Sequence, residues 1–363
     1  MINFNSVGPK YILQEGAMKN FENILKHNGI KFNNCLIFID SYFKNKNIPF
    51  KNKNNNFLFH YYDSSLEPNT DYIDDIIKIY KKKTVSKKID LVIGYGGGSV
   101  LDLTKAFSIG YCQNKSIQNY QGWDPFIKKT IKKIGIPTIS GTGAESTKTC
   151  VLINKNRNIK LGINSLKSVF DFVILDPELI KTVPKKQYFF TAMDSFIHSF
   201  ETIEGNNRNI ISDVYSSKVI ELIYEIFSSK NIKSKKNRTK LMIASYLGGL
   251  AISNSYVGLV HPISAGLSTV FQTKHCEANC IVFNKLKNYY PKYYKLFRFF
   301  LQKHNIKIQP LRNILNDEII MRLNESTFIH SKPLINALGN NYRKKLTDNK
   351  LKEIFISMFG KKN

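Results

Sequence analysis

The sequence predicts two parts, a Rossmann-like parallel α/β domain over residues 1–184 and an all-helical domain over residues 185–363. Three observations predict it. Apolar runs of strand length alternate with helical patterns up to about Pro184. One run, Ile89–Ile93, opens into Gly94-Tyr-Gly-Gly-Gly-Ser99 and then a helical pattern. Beyond Pro184 strand signals largely vanish and helical periodicity takes over.

Tyr11–Leu13 reads as a short strand, and Ala17–Asn28 as an amphipathic helix closed by Gly29. Cys35–Asp40 is an apolar run ending in Asp, suited to a buried strand. A loop rich in Lys and Asn follows, with Lys44-Asn45-Lys46-Asn47 and Lys51–Asn56 in it, and then a strand at Phe57–Tyr62. Thr70 opens a helix to about Lys82. The helix after the glycine turn has Leu101, Leu103, Ala106 and Phe107 as its apolar positions. Ile134–Thr138 is a strand entering Ser140-Gly-Thr-Gly-Ala-Glu145, a small-residue loop suited to ligand contacts. Phe172–Asp176 is the last strand. Tyr188–Thr202, Ile210–Ser228, Thr239–Ser253, Ile263–Phe271 and Asn279–Tyr289 read as helices, with Ser229–Asn237 a basic connector. The ligand cleft is expected between the halves.

The 363 residues suffice for two cores, and 42% hydrophobic content argues against disorder. No apolar run is long enough to span a bilayer, and Met1–Asn5 shows no secretory pattern. Five cysteines without a Cys-x-x-Cys fit a reducing cytoplasm. The net charge of +27 invites a nucleic-acid reading. Against it, the excess is nearly all Lys, and Asn recurs beside Lys, which points to a compositional bias of solvated surface. A main role on nucleic acid is therefore not expected. A non-catalytic polyanion-binding protein stays as an alternative, and the same charge would steer anionic substrates.

Asp194 and His198 are spaced i, i+4, so both face one side of a helix. Apolar neighbours surround them, and burying a carboxylate with an imidazole costs several kcal/mol, roughly, unless they are paired or metal-bound. The plain alternative is a helix-start Asp beside a core His. The glycine turn suits a phosphate, because backbone N–H groups and the helix dipole converge there. Its alternative is a tight turn needing positive φ. Asp40, ending its strand, either accepts ribose hydroxyls, favouring NAD, or closes a turn.

The order Gly96-Gly-Gly-Ser-x-x-Asp102-x-x-Lys105, Pro137-Thr-x-x-Gly-Thr-Gly143-x-Glu145, Asp176-Pro, Asp194-x-x-x-His198, Gly258-x-x-His261 and His275 resembles the iron-containing alcohol dehydrogenase family over nearly the whole chain. The resemblance implies the dehydroquinate synthase-like fold and a metal site of Asp194, His198, His261 and His275 holding Fe2+ or Zn2+. It implies NAD contacts from Gly97, Gly98 and Ser99 at the pyrophosphate, with Thr138 and Thr142 near the nicotinamide. Asp102 would stand at the mouth of the site as a catalytic residue, and Lys160 would bind phosphate or a substrate carboxylate unless it is simply a solvated lysine. Tyr120–Asp124, Ile134–Glu145 and Lys160–Ser165 look most like members that oxidise the C8 hydroxyl of 3-deoxy-D-manno-octulosonate. A small acidic sugar substrate follows from that likeness, as do a homodimer, a downstream sugar aminotransferase and either NAD or dioxygen as acceptor. An NAD(P)-dependent dehydrogenase of another alcohol or polyol is the alternative within the family. Two departures stand out. Ala265 replaces the family's second His, and Cys276 replaces the Gly after the last ligand, where a buried inert thiol is expected rather than a redox-sensitive one. His27, His60, His304 and His330 read as structural or surface residues.

Overall fold

A computed structural model of the protein describes residues 8–50 and 56–360. Met1–Asn5 and nearly all of the Lys51–Asn56 run lie outside them.

Among the described residues, the first half is built on six parallel strands: β1 (Lys10–Leu13), β2 (Cys35–Asp40), β3 (Phe57–Tyr62), β4 (Leu91–Gly96), β6 (Lys132–Pro137) and β9 (Phe172–Leu175). Their order across the sheet is β1-β9-β6-β4-β2-β3. Every residue of β2 and β4 is buried, as expected of central strands covered on both faces. The covering helices are α1 (Phe21–His27), α2 (Thr70–Lys83) and α3 (Gly98–Gly110). The predicted Ala17–Asn28 helix begins as a 3-10 turn, and only its second part is α-helical. From β2 the chain moves outward to β3, and from β4 it moves the other way to β6 and β9. The sheet therefore switches direction between β2 and β4, where open α/β sheets bind ligands.

A second sheet was not anticipated. It joins β5 (Gly122–Trp123), β7 (Thr149–Asn154) and β8 (Ile159–Asn164) in the order β5-β8-β7, with β7 and β8 antiparallel. Asn158 supplies the positive φ (50°) that the hairpin turn needs.

The helices that follow are α4 (Lys185–Ile203), α5 (Ile210–Ser228), α6 (Lys235–Ser253), α7 (Val260–Phe271), α8 (His275–Phe283), α9 (Pro291–Lys303), α10 (Asp317–Phe328), α11 (Ser331–Leu338), α12 (Tyr342–Lys345) and α13 (Asp348–Ile356). Among the described residues none is long and apolar enough to cross a membrane. α4 is the central helix, buried from Tyr188 to Thr202 and packed against α5, α6 and α8. The connector is shorter than its charge suggested. Ser234 caps α6 by accepting from Asn237 N–H, so the basic stretch from Lys235 is helical. Arg238 turns inward instead of facing solvent, donating to Pro177 O and pairing with Glu15 and Glu178.

The loop after β6, Ser140–Glu145, packs on the helical half through Gly141, while Thr142 stays half-buried beside the glycine turn. Gly141 N–H donates to Ser245 Oγ (2.8 Å), and Gly141 O accepts from Ser195 Oγ (2.6 Å). Gly141 has φ +146°, and a Cβ there would lie 1.7 Å from Thr191 O. Only glycine lets this loop and the α4 backbone come so close.

Candidate active site

α4 presents Asp194 and His198 one turn apart toward α7 and α8, which carry His261 and His275 near their first residues. Nε2 of His261 lies 3.4 Å from Asp194 Oδ1, His275 Nε2 lies 3.6 Å from Oδ2, and His198 Nε2 lies 3.7 Å from Oδ1. Ligand atoms of Asp194, His261 and His275 all fall within 4.8 Å of one another. His198 stands beside this trio, its ring stacked on that of His261 at 4.7 Å. All four residues implied by the resemblance are thus brought together, with His198 slightly outside the tightest cluster.

Three residues that the sequence reading did not single out complete the surroundings. Glu201 Oε2 accepts from His261 Nδ1 (2.5 Å), and Oε1 accepts from Val260 N–H. That bond leaves Nε2 of His261 facing Asp194, the usual device for orienting a metal-bound imidazole. Asn279, one turn after His275, donates to Asp194 Oδ1 (2.7 Å). The same amide nitrogen sits 3.2 Å from His261 Nε2 and 3.3 Å from His275 Nε2. Glu67 pairs with Lys160 (3.0 Å) and accepts the backbone N–H of His275.

The charges suit a cation. Burial pushes the Asp194 carboxyl up, but His198, His275 and His261 outweigh it and hold it far below the usual range. Burial, outweighing Asp194, takes the imidazoles of His198 and His275 down to about 3 and about 4. Burial also pulls His261 down, but Glu201 and Asp194 reverse this and hold it at about 9. A cation with ligands at about 2.1 Å puts neighbouring ligand atoms roughly 3.0–3.5 Å apart, close to the spacing around Asp194. Asp194 Oδ1 and the Nε2 atoms of His261 and His275 also crowd around a single amide donor, that of Asn279. The donor set fits a divalent metal of the borderline type that imidazole and carboxylate hold.

The glycine turn lies at the switch point. Gly97 precedes α3, and no side chain caps that helix. None of Gly94, Gly96, Gly97 and Gly98 has positive φ, so the tight-turn reading fails. A Cβ at Gly98 would lie 3.1 Å from Thr142 Oγ1, so the glycine turn and the loop after β6 approach closely there. The backbone N–H of Thr138 donates to Gly96 O (3.0 Å), tying β6 to the turn. Ser99 lies in the first turn of α3, partly buried. Across the switch, Asp40 is buried, and its Oδ1 accepts from Tyr42 N–H as in a strand-end turn. Asp102 Oδ2 accepts from Val151 N–H (3.1 Å), and burial pushes its carboxyl up to about 6 against the pull of Lys105. Lys160 is buried and paired, which overturns the reading of a solvated lysine.

Among the other histidines, His60 meets the hydroxyls of Tyr72 and Tyr80, and His304 meets Phe227 O, both structural roles. His27 is exposed. His330 is half-buried. Its Nε2 is buried without a hydrogen-bond partner, and its imidazole is close enough to Lys160 and His261 to feel both charges. The Cys276 thiol lies 3.5 Å from Asp194 Oδ2, and burial beside that carboxylate pushes it well above the ordinary thiol range, making it a poor nucleophile.

Comparison with known proteins adds to this geometry. Residues 8–177 match the family described as iron-containing alcohol dehydrogenase, and residues 189–355 match the C-terminal part of the Fe-containing alcohol dehydrogenase family. The chain is 33% identical to the 4-hydroxybutyrate dehydrogenase of Clostridium kluyveri over 231 residues, covering 62% of this chain and 61% of that one. It is 31% identical to the sulfoacetaldehyde reductase of Bilophila wadsworthia over 236 residues, covering 63% of this chain and 60% of that one. The chain thus spans about three fifths of the length of these relatives. Among solved structures, the sulfoacetaldehyde reductase from Bifidobacterium kashiwanohense in complex with NAD+ superposes over 100% of both chains, with a TM-score of 0.81 at 19% identity. An alcohol dehydrogenase from Oenococcus oeni gives 0.84 at 19% identity, over 98% of this chain and 100% of that one.

Proposed function

The chain belongs to the iron-containing alcohol dehydrogenase family, and from that we propose a metal-dependent oxidoreductase acting on the primary alcohol of a small anionic substrate. The substrate we favour is 3-deoxy-D-manno-octulosonate, oxidised at C8 to the aldehyde. The observation that carries the reading is the convergence of Asp194, His261 and His275 on one point, with His198 beside them. The substrate class is supported by the stretches Tyr120–Asp124 and Lys160–Ser165. It is supported too by two relatives whose names specify anions with a terminal oxygen function, 4-hydroxybutyrate and sulfoacetaldehyde.

Asp194, His198, His261 and His275 would hold Fe2+ or Zn2+. When bound, the ion supplies Lewis acidity that makes the substrate hydroxyl easier to deprotonate. Glu201 keeps the Nε2 lone pair of His261 pointed inward, and Asn279 fixes the Asp194 carboxylate. Gly97, Gly98 and Ser99 would offer backbone N–H groups to a dinucleotide pyrophosphate at the start of α3. Thr138 and Thr142 border the same turn, and Asp40 lies across the switch point, where a ribose would sit. Asp102, near enough to Lys105, Glu67 and Lys160 to feel their charges, would set the charge at the mouth of the cleft. The acceptor is NAD or dioxygen. The aldehyde product suits a following aminotransferase, and we place the enzyme in the cytoplasm.

Incubating Fe(II)-loaded protein with the octulosonate tests this. An aldehyde trapped as its hydrazone, with NADH or hydrogen peroxide formed alongside, is the expected result. No carbonyl product with either acceptor would sink it. NADH formed from neutral polyols in preference to the acidic sugar would favour the second reading, an NAD(P)-dependent polyol dehydrogenase, which the nucleotide-competent turn also fits.

A further inference from the structure

Outside the cluster of Asp194, His198, His261 and His275, a group of side chains joins β5, the segment before α7 and α11. Trp123 ends β5, which pairs with β8, the strand carrying Lys160. Its ring meets Tyr256 edge-to-face at 5.0 Å. Over the same indole, at 4.3 Å from its centre, stands the ammonium of Lys332 from α11. Tyr256 belongs to the segment leading into α7 and His261. Asn336 of α11 donates to the carbonyls of Tyr256 (2.9 Å) and Val257 (3.2 Å), fastening α11 to that segment. Two residues before Lys332 is His330, whose Nε2 is buried and unpartnered and whose imidazole is near enough to Lys160 and His261 to feel both charges.

Three properties point to a ligand. Lys160 is already neutralised by Glu67, whereas no carboxylate of the described residues lies within ion-pair distance of Lys332. A cation held over an aromatic face still has N–H groups to offer an anion. A buried imidazole nitrogen left unsatisfied costs free energy that a hydroxyl or carboxylate oxygen would recover. Trp123 remains about a third exposed, so its indole is available to pack against a sugar ring.

We propose that Trp123, Tyr256, His330 and Lys332 form a substrate subsite that receives the carboxylate-bearing, polyhydroxylated end of an acidic alcohol while its terminal hydroxyl reaches the metal cluster. The assignment rests on the oxidoreductase reading for the direction in which the substrate lies. Lys332 pairs with the carboxylate, His330 Nε2 takes one hydroxyl, and the two rings wall the sugar. This gives the enzyme a preference for anions that the metal cluster, which grips only a hydroxyl, does not supply.

Trp123 is the only tryptophan in the chain, so its fluorescence reports the subsite directly. The experiment titrates the Fe(II)-loaded, oxygen-free protein with 3-deoxy-D-manno-octulosonate and with its neutral methyl ester. The expected result is a saturable change for the acid and binding of the ester about tenfold weaker or more, the size of one charge-assisted hydrogen bond. Lys332→Gln should erase the preference and Lys332→Arg should keep it. The exposed Lys287→Gln, which removes the same charge elsewhere, should leave it intact. Equal affinity for acid and ester in the unaltered protein overturns the proposal, as does a preference that survives in Lys332→Gln. A clear preference without any aldehyde formed would sink the proposed reaction and leave the subsite standing. Turnover of the acid with no preference over the ester would do the reverse.

Discussion

Asp102 sits one turn into α3 with its carboxylate bonded to Val151 N–H, and burial raises its pKa from 3.8 to about 6. The sign follows directly. As pH rises from about 4 to about 6, the unfolded chain gives up this proton before the folded one does, so folded stability falls across that window and the penalty is complete above it. Asp102→Asn, which keeps the acceptor for Val151, should flatten that fall and stabilise the protein at pH 7 by up to about 3 kcal/mol. Denaturant melts at pH 4 and pH 7 measure it. The same variant should lower turnover while metal content stays at the wild-type level. At the candidate metal site, Glu201→Gln keeps the shape of the side chain but weakens its hold on His261 Nδ1. Metal affinity should drop about 10- to 100-fold in a chelator competition, and His261→Ala should lose metal and activity together.

The site was legible unevenly at this scale. Asp194 and His198 announce themselves through spacing and apolar neighbours. Glu201 and Asn279 sit three and four residues beyond two histidines of the cluster, on the same helix faces, so periodicity held the signal. Glu67 gave none, because it reaches the cluster from a loop in the other half of the chain. His330 was equally silent, since its role comes from the turn between α10 and α11 rather than from its neighbours in sequence.

Among the elements, the glycine loop after β6 carries the sharpest expectation. A methyl group at Gly141 would collide with Thr191 O in α4, a backbone atom that cannot swing aside, and the φ of +146° adds strain. Gly141→Ala should therefore lower the melting temperature by roughly 10 °C or more, and calorimetry reads it. Gly98→Ala meets only Thr142, whose side chain can give, so its fold should survive. The strands of the main sheet were readable because β2 and β4 are continuous apolar runs. The hairpin of β7 and β8 was missed for physical reasons. Thr149–Asn154 does alternate in burial, but Asn158 forms its turn without glycine and Gly162 interrupts the apolar pattern of β8. The start of α6 was misplaced because its first turn is basic, although Ser234 is an ordinary helix cap.

For the molecule as a whole, the two-part architecture was legible in the switch of periodicity near Pro184, whereas the way the parts grip each other was not. Arg238 shows why. It belongs to a basic run that reads as surface, yet it is buried against Pro177, Glu15 and Glu178. The net charge of +27 should still give weak binding to duplex DNA at low salt that is lost between about 50 mM and 200 mM salt. Binding of the same strength in His261→Ala is expected, since surface lysines rather than the cleft produce it. Fluorescence anisotropy measures this, and salt-resistant binding would revive a polyanion-binding role.

The sheet order has a consequence for biosynthesis. β1 lies at the edge and, among the described residues, has β9 as its single neighbour, with Lys10 opposite Phe172. A nascent chain thus displays its first strand long before the ribosome makes the partner for it, and until then the outer margin of β6 lies bare as well. Translation arrested short of Phe172 would leave two adhesive backbone margins at once, which makes that interval the period when this protein most needs a chaperone.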